Sequence, residues 1–243
     1  MCTVTFLPLG DKLVFTSNRD ETLTRPLALP PAVTEVNGKR LLFPKDPKAG
    51  GTWFVAQADG IVAVLLNGAF VRHIPTGNYR KSRGLVLLDI ITSPSPFEEL
   101  HSYDLNDIEP FTVIIYKQDQ FNGDMIEFRW DGSTKYFTSL DIGAPHIYSS
   151  ATLYEPAIIK QREEWFAEFL KSTEEKTPVS IREFHASAGR GDSQNGLIMN
   201  RGGILRTQCI TQAVLTRPQI DFYHHDLISD QETNTLLPVL SKV

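Results

Sequence analysis

Short segments rich in β-branched and aromatic residues recur along most of the chain, and turn residues separate many of them. Turns at Pro8 to Asp11, at Asp59-Gly60 and at Asn122-Gly123 each join two such segments, a combination that favours a β-hairpin. The pattern therefore predicts antiparallel strands linked by short turns. The predicted strands are residues 4–7, 12–17, 41–43, 52–57, 61–66, 111–117, 125–130, 204–215 and 220–223.

Four other segments have the spacing of helices. They are residues 82–91, with Ser82 as a cap, residues 96–103, residues 155–170 and the weaker 178–188. The third has the clearest amphipathic pattern. Its predicted apolar side comprises Ile158, Ile159, Trp165, Phe166, Phe169 and Leu170. Its predicted polar side comprises Lys160, Arg162, Glu163 and Glu168.

The order of these elements indicates the fold class. Strands come first, helices occupy the middle, and strands close the chain, which favours packed antiparallel sheets covered by helices over alternating βαβ units. Residues 188–196 are rich in Gly, Asp, Ser and Asn and predict a surface loop rather than a linker. We therefore expect one α+β domain over residues 1–243.

Composition and charge narrow the functional class. The chain has 243 residues, of which 41% are hydrophobic and 22% charged, as in ordinary globular proteins. The formal net charge is −5 with dispersed basic residues, which argues against nucleic acid as a partner. No apolar run reaches the roughly 20 residues of a membrane span, and no basic stretch opens the chain as in a secretory signal. Two cysteines fit a reducing compartment, so we expect a cytoplasmic protein.

Cys2 is the first candidate for chemistry. Removal of Met1 leaves one residue that carries both a thiol and a free α-amine. The amine has a pKa of about 7.7–8.0, so it can accept the thiol proton and later return it to a leaving group. Such a residue supplies both nucleophile and base. The plain alternative is an incidental cysteine, and position alone favours that alternative.

The tetrad Asn18-Arg19-Asp20-Glu21 changes this balance. It lies one predicted hairpin after Cys2, so antiparallel pairing brings it back beside residue 2. A guanidinium there stabilises a thiolate or holds a substrate carbonyl, and a carboxylate anchors the α-ammonium. The alternative is a polar strand end with a surface ion pair, and spacing alone does not separate the two interpretations.

Further short motifs accompany the tetrad in a fixed order. They are Thr24-Arg25-Pro26, Gly50-Gly51-Thr52-Trp53, Leu66-Asn67-Gly68 and Ser82-Arg83-Gly84. In this order and spacing the chain resembles the NRDE family, which includes the eukaryotic transport-and-Golgi-organisation proteins and many bacterial homologues. The resemblance is strong over residues 1 to about 90 and recurs at Tyr148-Ser149-Ser150 and Arg206-Thr207.

The resemblance implies a four-layer αββα sandwich of two antiparallel sheets, similar to the N-terminal nucleophile hydrolases, with Cys2 as nucleophile. A more distant likeness is to the choloylglycine hydrolase and penicillin V acylase branch, which carries an Arg-Asn-x-Asp element on the second strand. Asn18 and Asp20 match its Asn and Asp, but its Arg falls at Ser17 here. Arg19 lies two residues further along, on the same strand face, so the substrate chemistry need not be identical.

Together these patterns assign roles to nine residues. The expected catalytic residues are Cys2, Arg19, Asp20, Asn67 and Arg206. The expected substrate-binding residues are Asn18, Glu21, Trp53 and Ser149. Asn67 can donate to an oxyanion, although an asparagine before glycine is also a common turn residue. Arg206 resembles a late-strand arginine of the acylase branch, and Ser149 stands where that branch has a second asparagine.

Other motifs receive simpler interpretations. His224-His225-Asp226 is not a predicted metal site, because adjacent side chains on a strand point to opposite faces. Gly50-Gly51 lacks the lysine of a phosphate-binding loop, Arg190-Gly191-Asp192 belongs to a surface loop, and Cys209 is a core residue. The leading hypothesis is a cysteine hydrolase of a non-peptide amide or related acyl compound, with no metal or organic cofactor.

Two other classes remain open on the sequence alone. The first is a non-catalytic carrier of a hydrophobic small molecule such as haem or acyl-CoA, in which the same pocket binds without cleaving. The second is an inactive relative that keeps the scaffold for protein interactions. Hydrolysis assays and ligand titrations distinguish the three.

Overall fold

The computed structural model describes residues 3–119 and 123–240. Four helices occur in these ranges: α1 (Arg83–Thr92), α2 (Pro96–Ser102), α3 (Pro156–Ser172) and α4 (Pro178–Ser187). The strands of the same ranges are β1 (Thr3–Leu9), β2 (Lys12–Thr22), β3 (Leu29–Val36), β4 (Lys39–Lys45), β5 (Phe54–Gln57), β6 (Ile61–Asn67), β7 (Phe111–Lys117), β8 (Asp124–Trp130), β9 (Lys135–Ser139), β10 (His146–Ser149), β11 (Asn200–Arg201), β12 (Leu205–Leu215), β13 (Gln219–Asp226) and β14 (Gln231–Pro238).

The described strands form two antiparallel sheets. Sheet I has the order β10-β1-β2-β12-β13-β14, with β11 beside β12. Sheet II is a meander in chain order from β3 to β9. The N-terminal hairpin β1-β2 is thus inside sheet I, where β2 also pairs with β12 and β1 also pairs with β10. This arrangement buries most of the tetrad strand.

The two sheets pack face to face, and helices cover their outer faces. Val4 and Phe15 of sheet I and Phe54 and Val64 of sheet II belong to one buried cluster between the sheets. A second cluster joins α1 and α2 to the outer face of sheet II, and a third joins α3 and α4 to that of sheet I. The predicted α+β class and four-layer αββα sandwich are confirmed.

Alternation along β2 divides the tetrad between two layers. Val14 packs in the cluster under the helices, whereas Phe15 packs between the sheets. Successive side chains of a strand point to opposite faces. Asn18 therefore faces the helices, and Arg19 faces sheet II. Four adjacent polar residues serve two separate environments.

The predicted strands and helices are confirmed with shifts at their ends, the largest at β2, which continues from its predicted end at Ser17 through the tetrad to Thr22. The Asn122-Gly123 turn is an exception, because Asn122 lies outside the described residues. The sequence did not predict β3, β9, β10, β11 or β14. Apart from the two-residue β11, these are the strands at the four sheet edges. The prediction for one position on α3 was wrong: Arg162, expected on the polar face, is 1% exposed.

Candidate functional site

Arg19 is the centre of a buried polar cluster at one end of the inter-sheet layer. Its side chain donates to Asp46 Oδ2 at 2.8 Å and to Gln208 Oε1, and its guanidinium lies 3.6 Å from a Glu21 carboxylate oxygen. The guanidinium carbon is 4.7 Å from the centre of the Trp53 ring, a cation–π contact. A loop after β4 and a bulge in β12 thus hold one arginine in place.

Asp46 joins this cluster to the loop that follows β4. Its carboxylate accepts from Arg25 Nε at 3.0 Å and from the backbone N–H groups of Lys48 and Ala49. Burial alone raises the pKa of Asp46, but the Ala49 hydrogen bond and the charges of Arg25 and Arg19 outweigh it. The net result is a pKa below the usual 3.8, so Asp46 is ionised at neutral pH.

A cavity of about 440 Å³ opens beside Arg19. Of the predicted site residues, Arg19, Glu21, Trp53 and Asn67 line it together. The basic residues around it are Arg19, Arg25, Lys48, Lys81 and Arg83, and the acidic ones are Glu21, Asp46 and Glu109. The lining thus has an excess of positive charge in a chain whose formal net charge is −5. Such a cavity accommodates a small molecule with carbonyl or acidic groups.

Trp53, which lines the cavity, has a buried hydrogen-bond donor without an acceptor in the described chain. The residue is 3% exposed, and no acceptor among residues 3–119 and 123–240 lies at hydrogen-bond distance from its Nε1 atom. A buried N–H without an acceptor costs free energy, about 1–3 kcal/mol. The described chain therefore leaves this group unsatisfied.

Two glycine motifs meet at the cavity wall. A Cβ on Gly51 would lie 2.4 Å from the backbone carbon of Gly84, and a Cβ on Gly84 would lie 2.6 Å from the Thr52 carbonyl oxygen. Thr52 N–H also donates to the Gly84 carbonyl at 3.4 Å. Close backbone approach therefore explains both glycines, and it packs the start of α1 against the segment just before β5 that contains Trp53.

Asn67 ends β6 at the cavity. Its carbonyl accepts from Ser150 Oγ at 2.7 Å, and Gly68 follows with a φ of +80°. The left-handed glycine turns the chain away from the sheet, which leaves Asn67 at the strand end. Asn67 is partly exposed and lines the cavity.

Asn18 has structural contacts on the opposite face of sheet I. Its amide nitrogen donates to the carbonyls of Leu197 at 2.7 Å and His185 at 3.1 Å. Its Oδ1 accepts from His185 Nδ1, and His185 Nε2 accepts from the Thr5 hydroxyl at 2.8 Å. Burial lowers the pKa of His185 to about 3, so the ring is neutral. Asn18 thus links sheet I to α4.

Asp20 also faces the helices. It accepts from the hydroxyls of Tyr154 and Thr207, each at 2.6 Å. Asp20 is 2% exposed, and these two hydrogen bonds hold its carboxylate on the face of β2 opposite Arg19. The structure therefore separates Asn18 and Asp20 from the group around the cavity.

The remaining predicted residues are not among those that line the cavity beside Arg19, or lie outside the described residues. Cys2 lies outside the described residues, which begin at Thr3. Thr3 pairs with Asn18 on one side and with Ser149 on the other. Ser149 borders a second cavity of about 220 Å³. Arg206 pairs with Glu21, and its buried Nε has no acceptor in the described chain.

Arg162 is a buried polar residue that the sequence analysis missed. It donates to Thr3 Oγ1 and to the carbonyls of Asn195 and Gly196, both at 2.9 Å from its Nη2. Its guanidinium carbon stacks 3.6 Å from the centre of the Tyr154 ring. The helical pattern gave no signal for this burial, because Arg162 lies among charged residues and its acceptors are distant in sequence.

The other histidines and the cysteine singled out in the sequence have structural surroundings in the described ranges. Residues 3–119 and 123–240 contain no group of three or more His, Cys, Asp or Glu side chains placed to hold a metal ion. His224 Nδ1 contacts Thr211 Oγ1 at 2.9 Å, and His225 contacts Asp230. Cys209 is buried as predicted, and burial raises the pKa of its thiol to about 12. No described helix has the length and apolar character to cross a membrane.

Comparison with solved structures defines the class of fold. The Caenorhabditis elegans N-acylethanolamine-hydrolyzing acid amidase ortholog matches with a TM-score of 0.58 at 10% identity, over 87% of this chain and 92% of that chain. A variant of conjugated bile acid hydrolase from Clostridium perfringens matches with a TM-score of 0.52 at 13% identity, over 96% of this chain and 92% of that chain. A second variant of that hydrolase gives the same TM-score at 12% identity, over 100% and 97% of the two chains. The fold is that of the N-terminal nucleophile hydrolases.

Sequence comparison then gives the family. Residues 1–195 match the family described as Transport and Golgi organisation 2. The chain belongs to this family, which confirms the assignment made from the tetrad and its accompanying motifs. No curated protein matches the sequence.

Proposed function

We propose that this protein is a cysteine hydrolase of a non-peptide amide or related acyl compound, with Cys2 as nucleophile after removal of Met1. The observation that carries the proposal is the cavity beside Arg19, Trp53 and Asn67. Arg19 follows Asn18 on β2, and Asn18 pairs with Thr3, the residue after Cys2. The proposed nucleophile is thus the chain neighbour of a residue that pairs beside the tetrad.

The proposed reaction begins with proton transfer from the Cys2 thiol to the α-amine of the same residue. The sulfur then forms a bond to the substrate carbonyl carbon, and the carbonyl oxygen gains negative charge. Arg19 and Asn67 are the proposed donors to this oxyanion. The C–N bond breaks as the α-ammonium returns its proton to the leaving amine, which leaves a thioester on Cys2.

Water completes the cycle. The α-amine takes a proton from water as the water oxygen bonds to the thioester carbonyl carbon. The C–S bond then breaks, the α-ammonium returns its proton to the sulfur, and the acid product leaves. In this scheme Asp20 holds the α-ammonium from the helix side, where Tyr154 and Thr207 fix its carboxylate. Arg206 and Ser149 are proposed contacts to more distant parts of the substrate, as are Glu21 and Trp53 at the cavity. The role of Asn18 is to support the strand.

The substrate class follows from the cavity and from the structural relatives. The names of those relatives describe an acid amidase that hydrolyses N-acylethanolamines and a hydrolase of conjugated bile acids. Both names support a small acyl substrate rather than a peptide. The positive lining of the cavity supports a substrate with an acidic or strongly polar group.

The test compares two cysteine variants against a panel of acyl amides, acyl thioesters and lactones. Cys2→Ala should abolish turnover, whereas Cys209→Ala, the matched control, should keep it because the Cys209 thiol is buried and protonated. Undiminished turnover in Cys2→Ala would remove Cys2 from the mechanism. Haem and acyl-CoA are titrated in parallel, and binding without turnover of any panel member would favour a carrier instead.

A further inference from the structure

The most exposed large apolar side chains of the described chain lie on two surface connections. Ile74 is 90% exposed and Val71 is 75% exposed, both between β6 and α1. Ile204, at the turn between β11 and β12, is 72% exposed. Single exposed aliphatic residues are common on proteins, whereas several at one place indicate an interaction surface.

The connection between β6 and α1 borders the cavity beside Arg19. Gly77 lines this cavity, and the three residues of chain from Ile74 to Gly77 span at most about 11 Å. Asn67 lines it as well, and the chain from Asn67 to Val71 spans at most about 14 Å. Both exposed side chains therefore lie near the wall of the cavity.

Ile204 borders the same cavity. Its carbonyl accepts from the backbone N–H of Leu23 at 3.0 Å. Leu23 is itself exposed and lies in the chain between Glu21 and Arg25, which both line the cavity. The apolar residues of the two connections are thus gathered around one opening.

These connections are basic, although the formal net charge of the whole chain is −5. Residues 69–83 contain four Lys or Arg residues and no Asp or Glu, and residues 200–206 contain two Arg and no Asp or Glu. Carboxylates from other segments pair with some of these cations, as Asp104 does with Arg80 and Glu109 with Arg83.

Two of the basic residues lie close to the exposed aliphatic ones and form no ion pair with a described carboxylate. Arg72 lies between Val71 and Ile74 and is exposed to solvent. Arg201 precedes Ile204 by three residues, and the acceptors of its side chain are backbone carbonyls. Apolar and positively charged groups therefore occur side by side at this surface.

An anionic lipid surface fits this combination. A membrane interface takes up apolar side chains and attracts basic residues beside them, so both features contribute to binding. A second copy of the chain fits less well, because a symmetric contact would bring Arg72 of the two copies together.

We propose that Val71, Arg72, Ile74 and Ile204 form a docking surface for an anionic lipid membrane. Docking by this surface places the opening of the cavity beside Arg19 close to the lipid, so that an acyl compound dissolved in the membrane can reach it. The inference is independent of the proposed reaction, because membrane binding is measured without turnover.

The experiment is cosedimentation of the full chain with lipid vesicles. Vesicles of phosphatidylcholine mixed equally with phosphatidylglycerol should bind the chain, and added salt should weaken binding because it screens the charges. Vesicles of phosphatidylcholine alone should bind the chain more weakly. Equal binding to both kinds of vesicle, or binding to neither, would overturn the proposal.

Ile74→Asp tests the apolar part of the docking surface. It should lower the affinity for the mixed vesicles at least about tenfold, because it removes inserted apolar area and adds a negative charge. The matched control is Leu236→Asp, at another exposed aliphatic residue. Strand pairing aligns Leu236, through Asp221 and Val214, with Val14 and not with the tetrad. The control should bind as the unchanged chain does, and equal losses in the two variants would contradict the docking surface.

Arg72→Gln tests the electrostatic part. One basic residue near an anionic membrane contributes about fivefold in affinity, so the variant should bind the mixed vesicles about fivefold more weakly. Lys12→Gln is the control, because Lys12 is exposed at the end of β2 opposite the tetrad. Unchanged affinity in Arg72→Gln would contradict the role of its charge.

Ile74→Trp shows whether this side chain enters the lipid. Its indole emission should shift to shorter wavelength when the mixed vesicles are added, because the ring leaves water, whereas Leu236→Trp should show no shift. Binding without this shift would overturn insertion at Ile74. A dimer that Ile74→Asp dissociates, in a chain that binds no vesicles, would assign the surface to self-association and overturn the proposal.

Discussion

The imidazole of His185 and the side chain of Asn18 form a buried hydrogen bond that joins α4 to the second strand of sheet I. His185 Nδ1 donates to Asn18 Oδ1, while the Asn18 amide donates to the His185 carbonyl at 3.1 Å. Asn18 opens the tetrad, yet it contacts the helix layer and not the cavity. The first member of the motif therefore serves the fold, and the second member, Arg19, borders the cavity.

We expect the free energy of unfolding to depend on pH because of His185. The pKa of His185 is about 3 when folded, because of burial, and about 6.5 when unfolded. Between these values only the unfolded chain binds the proton, so the free energy of unfolding falls by about 1.4 kcal/mol per pH unit as pH decreases from 6.5. His224, whose pKa burial lowers to about 4, adds to the slope. Urea unfolding at pH 7, 6 and 5 measures it.

A pair of variants isolates the histidine. His185→Gln should be less stable at pH 7 but should lose stability less steeply on acidification. His101→Gln, at an exposed position, should keep the full slope. An unchanged slope in His185→Gln would show that His185 does not account for the pH dependence.

Asp46 is expected to be the most sensitive acidic residue of the cavity. Asp46→Asn leaves Arg19 and Arg25 without their shared carboxylate, and loss of a buried partner of this kind costs about 3 kcal/mol. Because the pKa of Asp46 is lowered on folding, its contribution is complete above about pH 4 and is lost as pH falls through the folded pKa.

Chemical denaturation at pH 7 and at pH 3 measures the Asp46 contribution. The difference between the unchanged chain and Asp46→Asn should be large at pH 7 and smaller at pH 3. Asp230→Asn, with an exposed side chain, should change stability by less than about 0.5 kcal/mol. Equal stability of Asp46→Asn and the unchanged chain at pH 7 would rule out this role.

Replacement of Gly84 by alanine should change stability in the direction opposite to the one that helix propensity favours. In a helix, alanine is normally favoured over glycine by about 1 kcal/mol. Here the added Cβ would lie 2.6 Å from the Thr52 carbonyl oxygen, a backbone atom that cannot move aside easily. We expect Gly84→Ala to lower the melting temperature and to cost about 1–3 kcal/mol.

The control for Gly84 is Gly143→Ala. A Cβ there meets the carboxylate of Asp141, the flexible end of a side chain, at 3.2 Å. Its effect on melting should be small. A stabilised Gly84→Ala would contradict the close contact between the two glycine motifs.

Trp53→Phe separates stability from binding. The variant removes an indole N–H that has no acceptor in the described part of the chain, so the free energy of unfolding should change by about 1 kcal/mol or less. If the N–H binds a substrate oxygen, KM should rise severalfold on the substrate identified by the panel. Unchanged KM would remove this donor from substrate binding.

Much of the fold was predictable because the central strands carry strong patterns. Strands such as β6 and β7 are buried along nearly their whole length and read as continuous apolar runs. The four edge strands do not form continuous apolar runs. An edge strand has only one neighbouring strand, so it tolerates polar residues and proline. Strand β3 illustrates this, because Pro30 and Pro31 stand near its start. Because an edge strand forms by pairing with the rest of its sheet, its own sequence carries little sign of strand structure.

The candidate site was predictable only in part. The tetrad located the right strand, and four predicted residues do line one cavity. Alternation could have shown that Asn18 and Asp20 face away from Arg19, although it could not show what they contact. Arg162 was beyond reach, because its acceptors lie on β1 and on a loop, far away in sequence. Tertiary contacts alone decide its burial.

The most direct test of the account is mass spectrometry of the protein after brief reaction with a turned-over substrate and acid quenching. We predict an N-terminal peptide that lacks Met1 and begins at Cys2, with the acyl mass added to that residue and none on Cys209. A chain that keeps Met1, or an acyl adduct on any other residue, would contradict it.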